Sequence, residues 1–408
     1  MPILIPRTHI SMLGTQALKF IVRDDFNDTK AAGSVNATVA TPGPGTRVVV
    51  DTDSKLTISD GLASLPVHST PAYGDLGLWY GAQTRASGLT QITVVSVAAG
   101  RFMFGWDTDQ SSTTAANGFF LSGNALSTYD EQVGRVVGAM ADSIQYTLAT
   151  ILRTSGAFHL IKGGAFSDWT LLWTTTVQAS ATVYPGVMAG SQAGGDMDIS
   201  FIRVMQLASP WSGTYGIALG FATFTDDNDT AIADYVPEVG SAWAATIGTW
   251  SIQTNAAQAS AVVGGVGIAT FDAGYTDVLQ TAGVTRAGGV AGVVLRYADA
   301  DNYVYATHDG TNANLIKRVA GSETSMISTA TTYSAGAEIR VIADGTTFDL
   351  FYKDSRRGTA QTIADAGLQT GTRAGLYTTD VGNTFAAADT YPRDIIGSAK
   401  AELERWTR

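Results

Sequence analysis

Two short stretches constrain this chain more than anything else in it. Each places apolar residues at every second position on either side of a tight polar turn. In Ala337–Lys353 (AEIRVIADGTTFDLFYK), Ile339, Val341 and Ala343 alternate, Asp344-Gly345 reverses the chain, and Phe348, Leu350 and Tyr352 alternate on the return. Period-two spacing about an Asp-Gly step is the strongest short-range signal for a β-hairpin. Tyr146–Lys162 (YTLATILRTSGAFHLIK) has the same form, with Leu148, Thr150 and Leu152 before Ser155-Gly156, and Phe158 and Leu160 after it. The hairpins begin about 190 positions apart, a spacing that points to a duplicated module.

Other pieces recur in the same order. DDFNDT at Asp24–Thr29 is echoed by FTDDNDT at Phe224–Thr230. FMFGWDTD at Phe102–Asp109 is echoed by VVLRYADAD at Val293–Asp301, and YPGVMAG at Tyr184–Gly190 by RAGLYTT at Arg373–Thr379. The expected organisation is an N-terminal arm at 1–18, one module at 19–209, a second at 216–392 and a C-terminal segment at 393–408, with the join near Ser209-Pro210. Helices of ten or more residues between strands, which a parallel α/β fold requires, are missing from the pattern. The fold class is therefore all-β: two tandem antiparallel jelly-roll sandwiches. One helix is expected at the C-terminus, where Ile395, Ala399, Leu403 and Trp406 form an apolar stripe. It would dock on its own second module or be presented to a partner subunit.

Charge sharpens the reading. Of 408 residues only 15% are charged, against about 25% in an average soluble protein. Ser241–Phe271 and Trp169–Gly195 carry no charge at all. Surfaces of this kind lack the like-charge repulsion that keeps proteins apart, so these faces either belong to a low-charge β protein or pack against other subunits. The net charge of −11 argues against nucleic acid as a partner. There are no cysteines, which excludes disulfides, thiolate zinc sites and cysteine nucleophiles. The opening MPILIPRTHISMLGTQALKF has Pro2 and Pro6 in its only apolar stretch and does not read as a signal peptide. No run of 18 apolar residues occurs, so no membrane span is expected. The chain is expected to be made in a cytoplasm.

The second module leads from an acidic start into EVGSAWAATIGTWSIQTNAAQ at Glu238–Gln258 and then into RYADADNYVYA at Arg296–Ala306. With Trp243, Trp250 and Ser251 in W-x(6)-W-S spacing and the D-x-D-N-Y step at Asp299–Tyr303, it resembles the concanavalin A-like, laminin G-like sandwich modules of bacterial extracellular proteins and of bacteriophage tail or capsid-surface proteins. The first module departs from that pattern, since RVVVDTDSKLTISDGLA at Arg47–Ala63 lacks both tryptophans. Both tryptophans are assigned to the core.

Catalytic patterns are not found. The paired acids of a glycosidase must face each other across a sugar, and the E-x-D-x-x-E or E-x-D-x-E strings of the glucanase branch of this superfamily do not occur. Glu402 and Glu404 have the nearest spacing, but they fall on the C-terminal helix. His9, His68, His159 and His308 are each read as a surface or turn residue, with His159 pointing out from its hairpin strand. No metal is expected on them, and no G-x-S-x-G elbow is present. The acidic turns (Asp24, Asp25 and Asp28; Asp107 and Asp109; Asp226, Asp227 and Asp229; Asp299 and Asp301) could offer oxygen to structural calcium, although aspartate in turns commonly bonds its own backbone. No cofactor is assigned. VVGGVG at Val262–Gly267 reads as glycine in strands or bulges.

For a ligand, the candidate residues are the aromatics Trp79, Tyr80 and Trp106 in the first module and Tyr303 and Tyr305 in the second. Aromatic rings stack on sugars, and alternating tyrosines share one strand face. Packed core is the better reading of the same residues. The leading expectation is a non-enzymatic virion structural protein of a tailed bacteriophage, on tail or capsid, assembled with other virion subunits or copies of itself and adhering to host surface polysaccharide. Two other readings stay open: a bacterial cell-surface carbohydrate-binding protein, and a glycoside hydrolase with an unrecognised site.

Overall fold

The structure, a computed structural model, describes residues 19–66, 76–97, 100–110, 116–130, 133–154, 156–175, 181–189, 196–212 and 215–408. The expected arm at 1–18 lies outside the described residues, as do His9 and His68. Apart from the C-terminal helix and one short helical turn, the regular structure of the described chain is antiparallel strand, in four sheets.

The first half of the chain builds two of them. One, here the inner sheet, runs Phe166–Thr174, Ala157–Gly163, Gln145–Leu152, Leu89–Val97, Met197–Gln206, Leu62–Leu65 and Thr57–Ser59, with Phe20–Asp24 also paired to Met197–Gln206. The other, the outer sheet, runs Val133–Ala139, Ala125–Asp130, Asn117–Gly123, Gly100–Asp107, Thr182–Ala189, Leu76–Trp79 and Val48–Asp51. The second half repeats both orders, except that Gln83–Thr84, paired to Thr182–Ala189 in the first outer sheet, has no counterpart among its described strands. Its inner sheet runs Ser355–Thr362, Thr347–Tyr352, Ala337–Asp344, Val278–Thr285, Thr384–Pro392, Ala257–Ala261 and Thr249–Ile252, with Gly220–Ala222 on Thr384–Pro392. Its outer sheet runs Ser322–Ala330, Asn312–Val319, Asn302–His308, Ala291–Asp299, Arg373–Thr378, Gly267–Asp272 and Ala244–Ile247. The two hairpins that announced the duplication occupy the same place in each copy.

Each pair of sheets encloses its own apolar core. Val95, Phe104, Trp106, Phe119, Leu148 and Ile202 lie in the first, and Trp243, Trp250, Val293, Val304, Leu350 and Leu376 in the second. The acidic starts correspond as elements but not residue by residue. Phe26 and Phe224, both fully buried, take the same left-handed backbone (φ 52° and 53°) just after the equivalent strands, so the phenylalanines are the matching positions.

A third apolar cluster joins the copies. Phe158 and Trp173, on the inner sheet of the first sandwich, meet Ile342, Phe351 and Tyr391 on the inner sheet of the second. The Trp173 and Phe351 rings are 4.9 Å apart, and those of Phe158 and Tyr391 are 5.7 Å apart. Arg340 lies 3.9 Å from the Trp173 ring centre and donates to the Thr174 carbonyl at 2.8 Å. Arg135 pairs with Asp354 at 3.0 Å across the same boundary. The layers are thus outer, inner, inner, outer, with the sandwiches back to back through equivalent faces.

The C-terminal helix, α1 (Gly397–Thr407), buries Ala399, Leu403 and Trp406 as its stripe predicts. Its dock is neither of the two expected. It crosses to the first sandwich, where Trp406 packs edge-on to Phe20 and the Ala399 carbonyl accepts from Trp211 Nε1 at 3.1 Å. Arg203 donates to the Trp406 carbonyl at 2.8 Å, while Lys162–Glu404 and Lys400–Asp168 pair at the rim. Just before α1, Leu171 and Arg393 bond through their backbones at 2.9 Å, and Ile395 donates to the Trp169 carbonyl at 3.1 Å. The end of the second copy therefore pairs alongside the Phe166–Thr174 edge strand of the first.

Candidate functional site

Several of the inner polar groups are engaged with one another. Arg47 and Asp24, both fully buried, form a two-pronged pair at 2.6 and 2.7 Å, and Tyr80 donates to Asp24 at 2.8 Å. Arg47 also holds Asp28 at 2.8 Å, and this hydrogen bond keeps the Asp28 carboxyl well below the usual range. An arginine occupies this acidic turn as its counter-charge. In the second copy Asp229 accepts from Gln253 at 2.6 Å, and Asp299 accepts from the Asp301 backbone at 2.8 Å and from the Asn302 amide at 2.9 Å. Among the described residues no three His, Asp or Glu side chains are grouped to hold a metal ion.

Two histidine readings are corrected. His159 does not point out: it is fully buried, Nε2 lies 3.0 Å from Asp130, and Arg135 holds the other oxygen of that carboxylate at 3.1 Å. The reason is phase. His159 pairs with Thr150 and shares its core-facing side, whereas Phe158 and Leu160 face the second sandwich. His308 ends the strand Asn302–His308 just before the turn and is fully buried, with Nδ1 accepting from the Gly310 backbone at 2.9 Å. Burial favours the neutral ring and pushes its pKa down.

The five candidate aromatics are all buried. Trp79 lies over a glycine bed on the outer sheet, where a Cβ at Gly77 would sit 2.6 Å from its Nε1. Tyr80 closes the Arg47 network, and Trp106 donates from Nε1 to the Thr150 carbonyl at 3.1 Å in the core. These three offer no ring face for stacking. Tyr303 and Tyr305, equally buried, lie on the side of their sheet away from the core, as Trp79 does on its own sheet. Together with Tyr297 and Tyr377 they make a four-ring strip. Tyr305 stacks on Tyr377 at 4.2 Å and Tyr297 on Tyr303 at 5.6 Å. Desolvation raises all four hydroxyls, Tyr377 to about 12, so the strip is protonated and uncharged at neutral pH.

A cleft of about 500 Å³ opens beside this strip. Ile247 and Gly248 form one wall, and the Ala300-Asp301 turn, Tyr303 and Arg318 form the other. The lip is Val263–Val266. The glycines expected in a strand or bulge instead make a two-residue turn, with Gly264 and Gly265 at φ 60° and 80° and Val263 and Val266 bonded in both directions. Positive φ at both central residues is what such a hairpin turn demands. Val263 stands 64% exposed at the tip. Arg318 is held in position: Nε donates to the Ala300 carbonyl at 3.2 Å, Nη1 to Glu323 at 3.3 Å, and Nη2 lies 3.6 Å from Asp301. Sequence reasoning named Tyr303 and the acidic turn but missed Arg318 and the glycine lip, which are near neither in sequence.

No protein-family model and no curated protein matches the chain. Among solved structures, the carbohydrate-binding module CBM66 from Bacillus subtilis is similar at 17% identity over 37% of this chain and 92% of that one, with a TM-score of 0.28. A family 16 glycosyl hydrolase protein from Mycobacterium smegmatis is 12% identical over 46% of this chain and all of that one, with a TM-score of 0.30. An uncharacterised protein from Mycobacterium paratuberculosis is 14% identical over 45% of this chain and 98% of that one, with a TM-score of 0.33.

Proposed function

We propose that this chain is a non-catalytic surface protein of a tailed-bacteriophage virion, a rigid double sandwich that packs against neighbouring subunits and adheres to polysaccharide. The observation that supports a structural role is the fusion of the two copies. Their inner sheets are buried against each other, and α1 clasps the first sandwich from the end of the second. Such a body presents its two outer sheets in opposite directions, which suits a block set between an assembly and its surroundings. Glu402 and Glu404, the acids nearest a catalytic spacing, hold α1 in place through the Ala208 backbone and Lys162.

A second reading, a carbohydrate-binding protein of a bacterial cell surface, is favoured by the cleft beside Tyr303. The two separate by location. Particles purified from the organism that carries this chain should contain it in fixed proportion to the major shell protein by quantitative mass spectrometry. Recovery in the cell envelope, with none in particles, would overturn the virion reading.

A further inference from the structure

We propose that the cleft between the Val263–Val266 lip and the Asp299–Asn302 turn binds an uncharged saccharide and discriminates against acidic ones. The inference rests on the adhesive part of the reading above and gives it a site and a ligand class.

The cleft has the size of a small-ligand site, about 300–1,000 Å³. Its walls divide by chemistry. Ile247 and Val266 supply apolar surface for the C–H face of a sugar ring, while Tyr303 is buried beneath the opposite wall. Opposite them stand one exposed carboxylate, Asp301, and one guanidinium, Arg318. A carboxylate accepts hydrogen bonds from two hydroxyls, and a guanidinium donates to hydroxyl oxygens, so neighbouring hydroxyls on one ring can engage both groups. Arg318 is already tethered to Ala300 and Glu323, so little side-chain entropy remains to be lost on binding.

Charge sets the class. Arg318 is the single cation of the cleft and already faces two carboxylates, Asp301 and Glu323, with Asp299 in the adjoining turn. The tyrosine strip stays uncharged. An incoming carboxylate or sulfate meets a net negative rim. A neutral ring does not meet that cost. The exposed Val263 at the lip is placed to close over a bound ring.

The test uses the full chain against soluble neutral glucans, galactans and mannans and against polyuronates, by affinity electrophoresis and titration calorimetry. Saturable binding to a neutral polymer is expected, with polyuronates at least about tenfold weaker. Asp301→Ala should weaken binding by about tenfold, the effect of losing a charged hydrogen bond, and Val263→Arg should block the lip. Asp301 and Val263 are both 64% exposed, so both variants should melt as the parent does. No neutral binding, a preference for polyuronates, or parent-like binding by both variants would each overturn the inference. Location is read separately: a chain found in particles but blind to sugars overturns this inference and the adhesive part of the reading while leaving the virion setting, and a sugar-binding chain absent from particles overturns only the virion setting.

Discussion

At the scale of single residues, the charges buried in the interior decide how the protein responds to mutation and pH. Arg47 answers both Asp24 and Asp28. Removing it leaves a carboxylate stranded in the core, so Arg47→Met should cost about 3–5 kcal/mol in urea unfolding, and adding Asp24→Asn should recover part of that loss. Asp389 behaves in the opposite sense. Loss of hydration at the boundary between the sandwiches, beside Arg340, Glu338 and Arg153, pushes its carboxyl up to about 6. Its folded pKa exceeds its unfolded one, so the folded state holds the proton more tightly. Stability from this group is present below about pH 4 and is lost as pH rises through 6. Asp389→Asn should therefore stabilise the protein at pH 8 by about 1–2 kcal/mol and change little near pH 4, measured by urea unfolding at both pH values.

At the scale of elements, α1 shows both what the sequence could tell and where it stopped. The spacing of Ile395, Ala399, Leu403 and Trp406 locates the helix and its buried stripe. Nothing local says which sheet receives it, because the receiving residues, Phe20, Phe201, Met205 and Trp211, are spread along the first half of the chain. The hairpins were legible for a related reason, since each is specified by a turn and by near neighbours. The direction of His159 was not. Strands of the inner sheets are apolar on both sides, one side facing the core and the other the opposite sandwich, so alternation there has no readable phase. The aromatic candidates were ambiguous for the same cause: a tryptophan over glycines on an outer sheet and one in the core have the same sequence context. Leu403→Asp should undock α1 and cost about 3–5 kcal/mol, with the near-ultraviolet dichroism of Trp211 and Trp406 lost before the sheet signal in a urea titration.

At the scale of the whole molecule, the chain resembles a two-fold dimer made covalent. Equivalent inner sheets bury each other, as identical patches do in an isologous interface. Its cohesion is shared by the Trp173–Phe351 contact, the Arg340 bond to Thr174 and the α1 clasp. Calorimetry should give one cooperative transition. Phe351→Ala combined with Arg340→Ala should divide it into two, because each sandwich keeps its own core while the shared one is emptied. A block of this design offers outer faces for contact and spends its interior charges on cohesion. The most direct measurement is to incubate the purified chain with a neutral polysaccharide that it binds and to follow polymer length and new reducing ends over days. A bound polymer of unchanged length is the predicted result, and release of new chain ends by the parent, lost in Asp301→Ala, would contradict it.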